Sequence, residues 1–147
     1  LKIDQMAEKL LLQAGCTSEV KIEKRFPNRR LVGGKFILHS NAIVLYEETI
    51  EEQCRLLFGD TSYLGPYMMI VLAHEIGHAM DRDLQALSAA LEQQEDEEYR
   101  REISLKIEEN AWNFSKMLIP YEYQGLFEKI KRESLASYQR QTALAAN

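Results

Sequence analysis

Cysteine is scarce in this chain: among 147 residues only Cys16 and Cys54 carry thiols. They stand far apart, and neither belongs to a Cys-x-x-Cys pair, which excludes a zinc knuckle or a dithiol redox motif. Two isolated thiols also argue for a reducing compartment rather than a disulfide framework, so a cytoplasmic location is expected. Long apolar runs are missing too. Nothing approaches the roughly 20 residues that a membrane-spanning helix needs, and no signal peptide is visible, so no membrane partner is expected. The chain opens at Leu1 rather than Met; if it is a fragment of a longer chain, any targeting segment would be lost with the missing part. Strong positive charge is lacking: the net charge is −5. The densest basic patch, Lys24, Arg25, Arg29 and Arg30, is too short to track phosphates and reads as a solvated turn, so direct nucleic-acid binding is not expected. There is no internal repeat and no low-complexity segment. With 46% hydrophobic and 28% charged residues, the composition fits one globular domain over residues 1–147.

Histidine is rare as well, yet two of the three lie four residues apart in Leu72-Ala-His-Glu-Ile-Gly-His-Ala-Met80. On a helix, positions four apart point the same way, so His74 and His78 can reach one ion. Glu75 lies about 100° further round, badly placed to ligate but able to reach a water held on that ion. Two imidazoles with a neighbouring carboxylate base are the groups needed for zinc-activated water. The preceding run, Met68 to Ala73, is apolar all round, which predicts a buried helix. A buried helix rarely carries two His and a Glu without a partner for their polarity. Gly77 weakens the helix by about 1 kcal/mol against Ala, a weakness explained if another backbone approaches closely there.

Around this motif the pattern predicts an α+β domain. Residues 1–14 read as a helix with Ile3, Met6, Ala7, Leu10, Leu11 and Ala14 on one face, stopped by Gly15. Residues 19–26 alternate, with Val20 and Ile22 on one side, as in a half-buried strand that Pro27-Asn28 ends. Gly33-Gly34, between Leu31-Val32 and residues 35–38, predicts a hairpin turn or a bulge. His39-Ser40-Asn41 is a further turn signal, and residues 42–46 form a short strand. A small, mainly antiparallel sheet over residues 19–46 follows. Residues 47–58 read as a helix with Ile50, Cys54 and Leu57 or Phe58 inward, broken by residues 59–62. Gly65-Pro66 starts the motif helix, which runs to about residues 80–82. No Gly or Pro interrupts residues 82–119, so much of that segment should be helical, and its charged run over 92–102 reads as a solvated face. Pro120 closes it. Residues 121–140 form a last amphipathic helix through Leu126, Phe127, Ile130, Leu135 and Tyr138, with residues 143–147 frayed.

Two histidines are too few for a zinc site, so a third protein ligand is expected. The metzincin pattern requires Gly at position 81 and His or Asp at 84; the chain has Asp81 and Leu84, which excludes that class. Asp81 can support a ligand from the second layer or simply end the helix. His39 fits a turn residue better than a ligand. The helix over roughly residues 98–119 is the better source. Ile103, Ile107, Ala111, Phe114 and Leu118 mark its apolar face, Glu108 lies at the margin, and Glu102 and Glu109 point outward. Ala111 and Ser115 are small and nearly in line with Glu108, so this helix can approach the histidine helix closely. Glu108 is therefore the chosen third ligand.

The two segments His74-Glu-Ile-Gly-His-Ala79 and Glu108-Glu-Asn-Ala-Trp-Asn-Phe-Ser115, followed by Leu118-Ile-Pro120, together resemble the ImmA/IrrE family of small gluzincin metallopeptidases. Those proteins typically show His-Glu-Leu-Gly-His, then Glu-x-x-Ala-Asn-x-Phe-Ala, then a hydrophobic residue and Pro. The resemblance covers roughly residues 42–120. Trp112 stands where the family often has Asn, and Ser115 where it often has Ala. The resemblance implies a zincin-like fold, zinc held by His74, His78 and Glu108, and Glu75 as catalytic base. It also implies a phage, mobile-element or stress-response role in cleaving a transcriptional repressor. Many relatives carry a DNA-binding domain as well, but no helix-turn-helix signal is present in this sequence.

Two functions follow from these residues. The first is a zinc endopeptidase, with Tyr99, Tyr121, Tyr123 or His39 as candidate oxyanion donors and the sheet edge near residues 42–46 as a seat for extended substrate. The second is a catalytically silent, zinc-stabilised module that binds a repressor or partner protein, favoured if residues 82–97 block the cleft. A helical protein without metal is the plainest reading.

Overall fold

The computed structural model describes the backbone of residues 2–146 and the side chains of residues 3–28 and 30–136. Its elements in order are α1 (Lys2–Ala14), β1 (Glu19–Glu23), β2 (Gly34–Ile37), β3 (Ala42–Tyr46), α2 (Glu47–Phe58), α3 (Leu64–Ala79), α4 (Leu84–Gln93), α5 (Glu97–Ser115) and α6 (Gln124–Ala146). The architecture is α+β, mostly helical, with one small three-stranded mixed sheet. No helix among the described residues is long and apolar enough to cross a membrane.

Helix α3 is the axis of the core. From Tyr67 to His78 nearly every residue is buried, because it packs against α1, α2, β2, β3, α5 and α6. Ile43, Leu45, Ile50, Cys54, Ile70, Leu72, Ile76 and Phe127 lie within this core, fully enclosed. The predicted face of α1 packs onto it through Ala7 and Leu10, with Ile3, Met6, Leu11 and Ala14 at the margin. Gly15 and Gly59 end α1 and α2 at φ 70° and 85°, a left-handed turn that glycine adopts without a Cβ clash.

The sheet differs from the mainly antiparallel one expected. Its strand order is β1-β3-β2, with β1 parallel to β3 and β2 antiparallel to β3. The hairpin turn is not at Gly33-Gly34. It lies between β2 and β3, where Asn41 takes φ 51° and its N–H donates to the Leu38 carbonyl. Gly33 and Gly34 instead mark a place of close packing. A Cβ on Gly33 would meet Gln53 and Ile50, and one on Gly34 would meet Val71 and Glu75. The first strand is shorter than expected and ends at Glu23; Val20 is half-buried while Ile22 is 37% exposed. The basic patch after it does form a turn, in which Arg25 pairs with Glu52 at 3.1 Å.

The segment 82–119 is mostly helical, as expected, in two pieces, α4 and α5, the second close to the helix expected over roughly residues 98–119. Asp96 breaks it by capping α5, its side chain accepting from the N–H groups of Glu98 and Tyr99. Arg100 then ties the break together by donating to the carbonyls of Leu91 and Gln94. The last α-helix starts at Gln124, after a tight turn over Tyr121–Tyr123. Among its described side chains Phe127 and Ile130 are buried, with Leu126 and Leu135 at the margin. Its backbone stays helical through Ala146, past the expected fraying at 143. The side chain expected inward at Tyr138, and the whole of Asn147, lie outside the described residues.

Candidate metal centre

Helix α3 presents His74 and His78 on one side, one turn apart, and α5 lies against that side. What permits the approach is the absence of a side chain at Gly77. A Cβ there would sit 2.2 Å from the Ala111 carbonyl oxygen and 2.9 Å from the Ala111 Cα. The two backbones are thus in direct contact, one turn from Glu108 on α5. Glu108 crosses the gap with both carboxylate oxygens: Oε1 lies 3.2 Å from His74 Nε2, and Oε2 lies 3.1 Å from His78 Nε2.

One ligand atom from each of His74, His78 and Glu108 lies within 4.8 Å of the others, so the group can hold a metal ion. The donor set is two imidazole nitrogens and one carboxylate, with room for a non-protein ligand. The two short contacts run through different oxygens of one carboxylate, so Glu108 faces both imidazoles at once. Imidazole and carboxylate donors of this kind are those that take zinc and other divalent transition metals.

His39 is not part of this group. It occupies the exposed β2–β3 turn. Asp81 is a helix-end residue that also ties α3 to α5: its side chain accepts from the Asp83 N–H at 2.9 Å and from Asn110 Nδ2 at 3.2 Å. Its charge acts on His78 through space.

A cleft of about 530 Å³ opens beside this group, lined by His74 and Glu108 but not by His78. His74, Glu75, Glu108 and Trp112 form one part of its lining, and Leu56, Leu57, Tyr67, Val71 and Ile130 give it an apolar wall. Glu133 and Ser134 from α6, and Arg30 from the turn after β1, line it too. None of residues 82–97 is among the lining residues. Tyr99 and Tyr121 are 57% and 94% exposed, and neither they nor Tyr123 and His39 line the cleft. Tyr67 is the tyrosine that does, among the described residues. Its spacing of seven from His74, two helical turns, was the available signal. That α6 returns to the cleft had no signal in the sequence beyond its amphipathic pattern.

The expected seat for an extended peptide also changes. Strand β3 is central and paired on both sides, so it has no free edge. Strand β2 is the edge strand on the cleft side, and its Gly34 lines the cleft. The missing side chain there makes room for Glu75: a Cβ on Gly34 would lie 3.1 Å from Glu75 Cγ and 3.2 Å from Oε2.

Burial pushes the Glu75 carboxyl up; His74 and His78 pull against it, and Glu108 adds to the rise. Burial opposes a charged His78, but the hydrogen bond to Glu108 and the charges of Glu75, Glu108 and Asp81 outweigh it, so the imidazole is raised. Burial likewise opposes a charged Glu108. Its bonds from His74 and His78, and their charges, outweigh that and hold it far below the usual carboxylate range.

These shifts fix how the metal-free protein responds to pH. Raised His78 contributes stability below its ordinary value of 6.5, lost as pH rises through the folded value. Depressed Glu108 contributes stability above its ordinary 4.5, lost as pH falls through the folded value. Raised Glu75 removes stability as pH climbs past 4.5. Thermal melts in chelator should therefore fall as pH rises above about 6.5, where His78 loses its proton and with it the pairing to Glu108. Melting temperatures that rise there would contradict the ion-pair geometry.

Comparison of the chain with protein-family models, with curated proteins and with solved structures finds no match.

Proposed function

We propose that the chain is a zinc-dependent endopeptidase with a minimal gluzincin, zincin-like architecture. Its substrate would be a regulatory protein such as a transcriptional repressor. One observation carries this reading: His74 Nε2, His78 Nε2 and the Glu108 carboxylate meet beside a cleft in which Glu75 stands buried. The resemblance of the two motifs to ImmA/IrrE peptidases supports the class of substrate.

A bound zinc supplies Lewis acidity, which lowers the pKa of a water toward about 7 and polarises a carbonyl. The chain supplies the rest. Glu75, raised by burial, takes the proton from the attacking water and passes it to the leaving amine; a pKa nearer the working pH suits both transfers. The free edge of β2 offers backbone N–H and C=O groups to an extended peptide. The wall of Leu57, Val71 and Ile130 accepts its apolar side chains. Burial first, then the charges of Cys54 and Glu133, push Tyr67 up to about 12, so it keeps its proton as a donor in the cleft wall.

The test is incubation of zinc-loaded protein with candidate repressors, with mass spectrometry of the products. Discrete fragments should form, vanish with chelator and return with zinc. Glu108→Ala should yield none. Outer-layer partners of a metal ligand are worth roughly 10–100-fold in affinity, so loss of a direct ligand should weaken zinc by more. Intact repressor beside protein holding one zinc per chain would favour the silent interaction module; a chain that takes up no zinc would overturn both readings.

A further inference from the structure

Metal-bound histidines ordinarily donate their second ring N–H to a carboxylate, a carbonyl or water, and that bond sets the ring's orientation. His74 departs from this. Its Nε2 faces Glu108, while its Nδ1 is buried without a hydrogen-bond partner among the described residues. Two rings touch it: His78 edge-on, with centroids 4.7 Å apart, and, closer and more nearly parallel, Trp112, the single tryptophan of the chain. The His74 and Trp112 ring centroids are 4.2 Å apart and the planes inclined by 32°. Trp112 is itself buried, and its Nε1 likewise has no partner among the described residues, so no hydrogen bond accounts for its placement. Packing does. Phe127 of α6 meets the indole edge-on, with centroids 5.5 Å apart and planes at 70°. Trp112 also lies four residues after Glu108, on the same side of α5. One helix face thus delivers a carboxylate to the ligating nitrogen of His74 and an indole to its ring.

We propose that Trp112 is the positioning residue for His74, holding the imidazole by stacking where a hydrogen bond would usually hold it. An imidazole bonded to a cation is electron-poor, and the electron-rich indole face favours that state. Trp112 therefore both orients the ligand and stabilises its metal-bound form. This rests on the metal-site part of the proposed function and not on peptide cleavage.

The test is titration of the metal-free chain with zinc and with cobalt(II), following tryptophan emission and metal content together. In the unaltered protein, emission should change in proportion to uptake and saturate at one ion per chain. Trp112→Phe keeps an aromatic face and should bind zinc within about threefold of the parent. Trp112→Leu, verified as folded by circular dichroism, should bind about 10-fold or more weakly, the range for an outer-layer partner. Its cobalt(II) absorption bands should shift, because the imidazole is no longer held in one plane. A parent that binds zinc without any change in emission would overturn the inference, whether or not the Leu variant folds. So would a folded Leu variant with parental affinity and cobalt spectrum. A parent that binds no zinc would overturn the site reading itself, and the two failures are told apart by metal content alone.

Discussion

Glu75→Gln should leave the chain folded and zinc-loaded while lowering the rate of peptide cleavage by roughly 10²–10⁴-fold, the usual contribution of a positioned acid–base group. The substitution keeps shape and removes only the ability to carry a proton. Glu75 is not one of the three converging ligands, so metal content should stay at the parental level. Stability should not fall either. Burial raises this carboxyl in the folded chain, so at neutral pH its charge works against folding, and a neutral amide relieves that. A melting temperature equal to or above the parent's, normal zinc and lost turnover form the expected triple. Turnover near the parental rate would remove Glu75 from the chemistry; lost zinc would place it among the ligands.

Gly77→Ala should be severely destabilising, against what helix propensity alone predicts. Propensity favours Ala by about 1 kcal/mol. The new methyl, however, would sit 2.2 Å from the Ala111 carbonyl oxygen and 2.9 Å from the carbonyl carbon and Cα. These are backbone atoms of a helix, so no side chain can swing aside and α5 must move as a body. Overpacking of this kind typically costs about 1–3 kcal/mol, which at roughly 2–4 °C per kcal/mol for a chain near this size is visible in a melt. Moving α5 also withdraws Glu108 from His74 and His78, so zinc affinity should drop together with stability. Gly125→Ala provides the contrast. It lies in α6, and a Cβ there meets nothing within 4 Å, so the same change should be neutral or stabilising. If Gly77→Ala melts with or above the parent, the α3–α5 contact is not what sets the site.

Much of the site could be read from the sequence because it depends on helical spacing. A spacing of four from His74 to His78, an apolar stripe with Glu108 at its margin, and a glycine between the histidines are local facts, and each has a direct geometric meaning. The sheet was harder. Parallel pairing of β1 with β3 is a long-range choice made across the irregular segment after Glu23, and nothing local announces it. Gly33-Gly34 looked like a turn because glycine serves turns and close contacts alike. Only the arrival of Gln53, Ile50, Val71 and Glu75 from other elements tells them apart. The cap of α5 was hidden for a similar reason: Asp96, which makes it, stands in a run of acidic residues where one cap looks like any other charge. The oxyanion candidates were chosen by residue type alone, and residue type does not say which tyrosine faces the cleft.

The wall of the cleft is supplied late. The three ligands are complete once residue 108 has been made, but the face of α6 that closes the cleft, through Ile130, Glu133 and Ser134, comes afterwards. At a synthesis rate of about 5–20 residues per second, an interval on the order of seconds separates synthesis of the last residue of the His74, His78 and Glu108 group from synthesis of the α6 segment that completes the cleft wall. Translation order thus sets the assembly of the candidate metal group ahead of the enclosure that borders it.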